Sequence, residues 1–162
     1  MKTSSRTPLS RTYARAFGLL TFVLALSGMA QMPIFKRYYI ADLPGLGWLA
    51  DYYLTHKLHY VAAILFMALI GYLAARWLRQ WSRGLRLTRS GWLRVALVLG
   101  IVLTGALRMY KNQPGVSYDP FTTMLVDWTH LGLVMLLGLS ALALRILGKR
   151  AYARERGAPS ST

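Results

Sequence analysis

The chain has 162 residues with 20 Lys+Arg against 5 Asp+Glu, a net charge of +15, yet 55% of its residues are hydrophobic and its mean hydropathy is +0.36. A soluble nucleic-acid-binding protein would explain the charge but not the apolar content, and a large soluble core would explain the apolar content but not the scarcity of acids. An integral membrane protein explains both, provided that the charges lie in tails and loops. The length allows one domain, and the absence of cysteine excludes disulfides, iron–sulfur clusters, thiolate zinc sites and covalent c-type haem attachment within this chain.

Four apolar segments are long enough, or nearly so, to cross a bilayer as helices, which takes about 20 residues each. They cover residues 16–34, 58–78, 92–109 and 124–147, and none holds an acid in its middle. Inside lipid every backbone amide must be satisfied internally, and for unbroken apolar runs this requires helices. The prediction is an all-α, integral membrane four-helix bundle over residues 16–148, flanked by basic tails at 1–15 and 149–162.

The first segment also resembles a signal peptide. Four basic residues precede it, and small residues at 27–30 are typical of a cleavage site. The apolar run continues past Ala30 through Met32 and Ile34, which favours an uncleaved first helix.

The distribution of charge predicts the orientation. The N-terminal tail, the loop between the second and third segments and the C-terminal tail together hold 15 of the 20 positive residues and a net charge of +14, whereas the opposite side has a net charge of +1. The positive-inside rule then places both termini in the cytoplasm. The basic runs are interpreted as topology determinants that also meet anionic lipid headgroups, and not as a nucleic-acid site.

The outer connections have their own signals. Residues 33–55 are rich in Tyr and Trp, which suit a membrane interface, and a short interfacial helix is expected from about Leu46 into the second span. In the other connection, Asp119 followed by Pro120 is a typical helix start, with Asp as the N-cap and Pro in the first turn.

A short repeat ends the two odd-numbered spans. Residues 26–32 and 103–109 share the pattern L-[ST]-G-x-x-[QR]-M, and each copy is followed by an outer loop and then by a helix with histidine near its outer end. Chance similarity between apolar helices is the alternative. The match in both sequence and depth favours a helix-hairpin duplication, or at least a parallel use of the two hairpins.

The three histidines are the main candidate functional residues. His56 and His59 lie on the second span and His130 on the fourth, all toward the outer face. Ionisable groups within membrane helices are costly and so indicate function, and imidazole is a common axial ligand of haem iron. We predict one b-type haem held by His59 and His130, with His56 as the alternate ligand and with Gly28 and Gly105 leaving room for the porphyrin.

Other interpretations of these residues stay open. The histidines could hydrogen-bond across the helices, or they could hold a zinc or copper ion with Asp127 nearby. His56 could lie near the haem edge or near a quinone. Three outer basic residues could pair with haem propionates or could extend toward the interface: Lys57, Arg108 and Lys111.

The four spans, the L-S-G and L-T-G helix ends, His59 and His130 together resemble the small four-helix cytochrome b subunits of respiratory oxidoreductases, the formate dehydrogenase and thiosulfate reductase cytochrome b families. The resemblance implies a multi-pass protein of the bacterial inner membrane with bis-histidine haem b, electron exchange with the quinone pool, and an iron–sulfur or multihaem partner that carries the catalytic centre. Those subunits commonly hold two haems. Because the inner half of this chain has no histidine, only the outer haem is expected.

Two function classes follow. The first is an electron-transfer subunit that works within a complex and is not an enzyme by itself. The second is a non-redox membrane anchor or assembly subunit whose histidines bridge helices or bind a metal ion. The lack of an acid deep in the spans disfavours a proton-coupled transporter, and no nucleophile–base set or phosphate-binding loop supports a hydrolase or a nucleotide enzyme.

Overall fold

The computed structural model describes residues 10–32, 34–148 and 151–155, with only the backbone at Glu155. Of this part 77% is helical, and four helices are long and apolar enough to cross a membrane, which confirms the predicted all-α class and indicates a multi-pass membrane protein. The helices and strands are α1 (Arg11–Ala30), α2 (Ile34–Arg37), α3 (Tyr52–Arg76), β1 (Leu85–Leu87), α4 (Arg89–Tyr110), α5 (Pro120–Ile146) and β2 (Ala153–Glu155).

The chain divides into two compact units, with the boundary between Ser82 and Arg83. In the first unit α1 packs against α3, and in the second α4 packs against α5, so each unit is built on a helical hairpin. Long apolar side chains on all four helices are exposed, for example Phe22, Ile64, Leu103 and Leu139. Such an apolar exterior is expected where the surrounding solvent is lipid.

The first span differs from its prediction at both ends. Helix α1 starts at Arg11 because the Ser10 side chain caps it and accepts a hydrogen bond from the Tyr13 backbone N–H at 3.2 Å. Arg11 and Arg15 therefore belong to the helix and not to the predicted tail, whose residues 1–9 lie outside the described residues. The helix ends at Ala30 and a separate helix, α2, begins at Ile34, so the apolar run through 34 is not one helix.

Helix α3 begins six residues before the predicted span because Asp51 acts as its N-cap, its carboxylate accepting from the Leu54 backbone N–H at 3.0 Å. A 3₁₀ helix at Gly47–Ala50 leads into it, which confirms a short helical element near Leu46, and a second lies at Ile40–Asp42. At its other end α3 continues as a π-helical turn over Trp77–Trp81. Capping residues on either side of the apolar segment thus lengthen the helix beyond that segment.

Aromatic and small residues hold the first hairpin together. At the end near the start of α1, Tyr13 packs on Tyr72 and Phe17 on Phe66, with ring centroids 5.7 and 5.1 Å apart. The Tyr13 hydroxyl also donates to the Leu69 carbonyl at 2.5 Å. The opposite half of the hairpin is closed by small buried residues, which let the helix backbones approach: Ser27, Ala30, Thr55 and Ala62.

The second hairpin has a feature that the sequence did not predict. Strand β2 folds back on β1 as an antiparallel pair, with Leu85 opposite Glu155 and Leu87 opposite Ala153. Part of the predicted C-terminal tail is therefore ordered against the start of α4, while residues 149–150 and 156–162 lie outside the described residues.

The Asp119–Pro120 start of α5 is confirmed, since the Asp119 carboxylate accepts from the backbone N–H groups of Phe121 and Thr122, both at 3.0 Å. Hydrogen bonds from the Thr122 side chain and from these backbone groups hold the pKa of Asp119 below its usual range.

We expect this cap to make the stability of the second hairpin dependent on pH. A lowered carboxyl pKa in the folded state adds stability above the unfolded pKa of about 3.9, and this stability is lost as the pH falls through the lowered value. Asp119→Asn should keep the cap but remove this acid-dependent loss, whereas Asp119→Ala should lower the unfolding temperature already at neutral pH. Thermal unfolding in detergent, followed by circular dichroism from neutral to acidic pH, measures both effects. Equal acid sensitivity of wild type and Asp119→Asn would contradict the assignment.

Candidate functional site

In the first hairpin, His59 of α3 faces the end of α1 and is half-buried. Its Nδ1 atom lies 3.0 Å from the Ser27 Oγ atom, and Ser27 is fully buried. A Cβ atom built on Gly28 would lie 3.3 Å from His59 Cε1, tighter than an ordinary van der Waals contact. The imidazole therefore rests on the glycine, with one ring nitrogen against the neighbouring hydroxyl.

The second hairpin repeats this arrangement with His130 of α5, which is also half-buried. Its Nδ1 atom lies 2.9 Å from Thr104 Oγ1 on α4. A Cβ atom on Gly105 would lie 3.4 Å from His130 Cε1. The same ring atoms meet the same kinds of residue in the two hairpins.

This correspondence gives a structural meaning to the L-[ST]-G repeat. In both copies the hydroxyl residue contacts Nδ1 and the following glycine contacts Cε1 of a histidine on the facing helix. The shared geometry supports a helix-hairpin duplication. Ser27 and Thr104 were not among the predicted site residues, although the shared hydroxyl at one position of the repeat was the signal that could have identified them.

The glycines were expected to leave room for a porphyrin. For Gly28 and Gly105 the nearest side-chain atoms to a missing Cβ belong to the histidine rings, so the space they leave serves first to let each imidazole approach α1 or α4. The role of these glycines beside a porphyrin stays a prediction.

A second pair of contacts lies toward the loop end of each hairpin, between the residue four after the hydroxyl and the residue three before the histidine. In the first hairpin these are Gln31 and His56, with Gln31 Oε1 3.3 Å from His56 Nδ1. In the second they are Arg108 and Asp127, joined by an ion pair at 2.8 Å. The positions correspond, but the chemistry is neutral in one hairpin and charged in the other.

His56 lies between two tyrosine rings on its own helix. Its ring stacks on Tyr52 with centroids 5.4 Å apart and packs against Tyr60 at 4.4 Å. Its contact with Gln31 differs from the hydroxyl contact of His59, and in the repeat it corresponds to Asp127 and not to His130. The local geometry therefore favours His59 over His56 as the counterpart of His130.

The basic residues that were predicted to lie at the outer face have different surroundings. Lys111 joins Arg108 on the Asp127 carboxylate, with its Nζ 2.9 Å from Oδ2, so both already have an acidic partner. Lys57 is exposed on α3. Within the part of the chain that the structure describes, no acidic side chain forms an ion pair with Lys57. Pairing of Lys57 and Arg108 with propionates stays a prediction.

The structure does not group the histidines and acids as a simple metal site. Within residues 10–32, 34–148 and 151–155, no cluster of three or more His, Cys, Asp or Glu side chains is placed to hold a metal ion. Asp127, considered in the sequence as a neighbour of such an ion, is directed at two cations.

Comparisons with known proteins add no relative: no family model, no curated protein and no solved structure matches this chain.

Proposed function

We propose that this protein is a membrane cytochrome b subunit that carries one b-type haem with His59 and His130 as its axial ligands. It would relay electrons between the quinone pool of a bacterial inner membrane and an iron–sulfur or multihaem subunit on the outer face. The observation that carries the proposal is the matched set of histidine, hydroxyl and glycine in the two hairpins.

The chemistry of these residues fits haem ligation. Each hairpin presents one half-buried imidazole whose Nδ1 atom lies at a hydrogen-bonding group, which is how ligating histidines are usually oriented. A bound haem supplies one-electron redox chemistry, while the chain holds and orients the ligands and keeps the site within an apolar surround. Gly28 and Gly105 would adjoin the ligand rings, and Lys57 or Arg108 would face the propionates.

The number of histidines supports a single haem. The sequence has three, and the two that share the same local geometry make one axial pair. His56, between two tyrosines and beside Gln31, would line a quinone site at the same level. Such a quinone site would lie near the docked partner, so electrons need not cross the full membrane.

Haem stoichiometry tests this proposal. The protein would be produced in haem-replete cells, purified in detergent and assayed as the pyridine haemochrome against protein concentration. We expect one haem b per chain and a b-type reduced-minus-oxidised spectrum. A colourless preparation would overturn the proposal, and two haems per chain would contradict the single-site form.

A second function is favoured by one observation. His59 and His130 each contact a hydroxyl across their hairpin, and such contacts can stabilise helix packing in a non-redox anchor or assembly subunit. This alternative expects a colourless protein that still assembles with its partner when all three histidines are replaced. The haem proposal expects that replacement to remove the chromophore from a complex that is coloured with the wild-type chain.

A further inference from the structure

We propose that Ser27 and Thr104 are positioning residues that select the Nδ1-protonated tautomer of His59 and His130, so that each Nε2 atom carries the lone pair that binds the ligand. The inference deepens the proposed function and rests on it for the identity of that ligand, which is haem iron.

The argument starts from the single proton of a hydroxyl group. Ser27 Oγ lies 2.6 Å from the Val23 carbonyl oxygen, one helical turn back, and 3.3 Å from that of Leu24. Thr104 Oγ1 lies 2.8 Å from the Gly100 carbonyl oxygen and 3.1 Å from that of Ile101. Carbonyl oxygens only accept, so in both hairpins the hydroxyl proton is donated to the helix backbone.

A hydroxyl that has donated its proton can meet a third group only as an acceptor. The imidazole Nδ1 atoms lie 3.0 Å from Ser27 Oγ and 2.9 Å from Thr104 Oγ1, so each Nδ1 is the donor and carries a hydrogen. In neutral imidazole one nitrogen is protonated and the other bears a lone pair. The lone pair is therefore on Nε2 in both histidines.

The glycine after each hydroxyl residue makes this hydrogen bond possible. The Cε1 atom, next to Nδ1 in the ring, comes within 3.3 Å of the Gly28 Cβ position and 3.4 Å of the Gly105 Cβ position. A Cβ atom at either position would be in tight contact with the ring, which would have to shift by a few tenths of an ångström to accommodate it. The hydroxyl and the glycine of the repeat thus act together: the glycine leaves room for the imidazole ring, and the hydroxyl selects the nitrogen that carries the proton.

The hydrogen bond also tunes the ligand. An acceptor on Nδ1–H makes imidazole a stronger electron donor through Nε2, which stabilises ferric over ferrous iron. Loss of the acceptor should therefore raise the midpoint potential. It should also weaken haem binding, because removal of such hydrogen-bond partners in metal sites lowers metal affinity roughly 10- to 100-fold.

The first test uses the haem-free chain. Protein labelled with ¹⁵N in histidine reports the tautomer from its imidazole nitrogen shifts, with signals assigned by His56→Ala, His59→Ala and His130→Ala. We expect Nδ1–H for His59 and His130 in wild type, and a mixed or Nε2–H state for His59 in Ser27→Ala and for His130 in Thr104→Val. The exchanges Ser27→Thr and Thr104→Ser, each taken from the other hairpin, should keep Nδ1–H.

Thr21→Val is the matched control, because Thr21 on α1 also donates to a backbone carbonyl one turn back, that of Phe17 at 2.8 Å, but is exposed. It should leave both tautomers unchanged. An Nε2–H tautomer in wild type, or an unchanged Nδ1–H state in folded Ser27→Ala and Thr104→Val, would overturn the inference.

The second test uses the haem-loaded chain in redox titrations and haem-transfer assays. Ser27→Ala and Thr104→Val should raise the midpoint potential, whereas Ser27→Thr and Thr104→Ser, which keep the hydroxyl, should leave it at the wild-type value. An unchanged potential in the first pair would overturn the tuning role. The two proposals fail separately, since a wild-type chain that binds no haem ends the proposed function while the tautomers remain measurable.

Discussion

If His59 and His130 ligate a haem as proposed, replacement of either one by alanine should abolish the low-spin b-type spectrum. Bis-histidine coordination needs both imidazoles, and the sequence holds only one other histidine. A haem with a single remaining ligand becomes high-spin or dissociates. Reduced-minus-oxidised spectra and pyridine haemochrome assays on detergent-purified variants, normalised to protein, measure the loss.

His56→Ala is the control in the same helix. His56 lies one turn from His59, contacts Gln31 and stacks on tyrosine, so its removal should leave the haem content near that of wild type. If His56→Ala lost the haem while His59→Ala retained it, the ligand assignment would pass to His56. Retention of a low-spin spectrum in both His59→Ala and His130→Ala would refute ligation by this pair.

Gly91→Ala should release the C-terminal segment 151–155 from the start of α4. A Cβ atom at this position would clash with the Tyr152 carbonyl oxygen, and a backbone oxygen cannot yield as a flexible side chain can. The hydrogen bonds at risk run from the Thr88 N–H to Tyr152 O at 3.1 Å and from the Thr88 and Ser90 hydroxyls to Ala151 O at 2.9 and 3.0 Å. Each is worth about 0.5–1.5 kcal/mol, so their joint loss should open the β1–β2 pair.

Hydrogen exchange at the Thr88 amide and trypsin cleavage at Arg154 report this release. Both should become faster in Gly91→Ala. Gly138→Ala on α5 is the matched control. Apart from the neighbouring backbone of α5 itself, no atom of the described residues lies within 4 Å of the added methyl group. That change should leave hydrogen exchange and trypsin cleavage as in wild type. It should not weaken α5, because alanine favours a helix over glycine by about 1 kcal/mol. Unaltered protection at Thr88 in Gly91→Ala would show that the segment tolerates the methyl group.

The sequence predicted helix identity better than helix ends. A hydropathy window identifies the four spans because apolar runs of this length have one stable form in lipid. It fails at Ser10 and Asp51, where polar caps extend α1 and α3 beyond the apolar residues. Asp119 was the exception, because the following proline gives a recognisable start signal.

The candidate site was predicted in part for a related reason. The repeat and the cost of burying histidine together identify four of its residues: His59, His130, Gly28 and Gly105. A hydroxyl inside a membrane helix normally donates to its own helix backbone, so its presence in the sequence does not indicate a functional contact. Its second contact, to an imidazole on the facing helix, depends on packing. The β1–β2 pair was missed because its strands are about 70 residues apart in sequence and each is only three residues long.

Because the two hydroxyl–histidine contacts are equivalent, the length of chain between the contacting residues can be compared in the two hairpins. From Ser27 to His59 the chain takes 32 residues, and from Thr104 to His130 it takes 26. Beyond the contacts α4 and α5 each run three residues further than α1 and α3, so the connections differ by more than these six residues: residues 31–51 join α1 to α3, whereas residues 111–119 join α4 to α5. One hairpin is therefore closed by a folded aromatic segment and the other by a short loop. The two hairpins thus share the hydroxyl–histidine contact but differ in the segment that closes each of them, so a protein that recognised one closing segment would find no equivalent of it in the other hairpin.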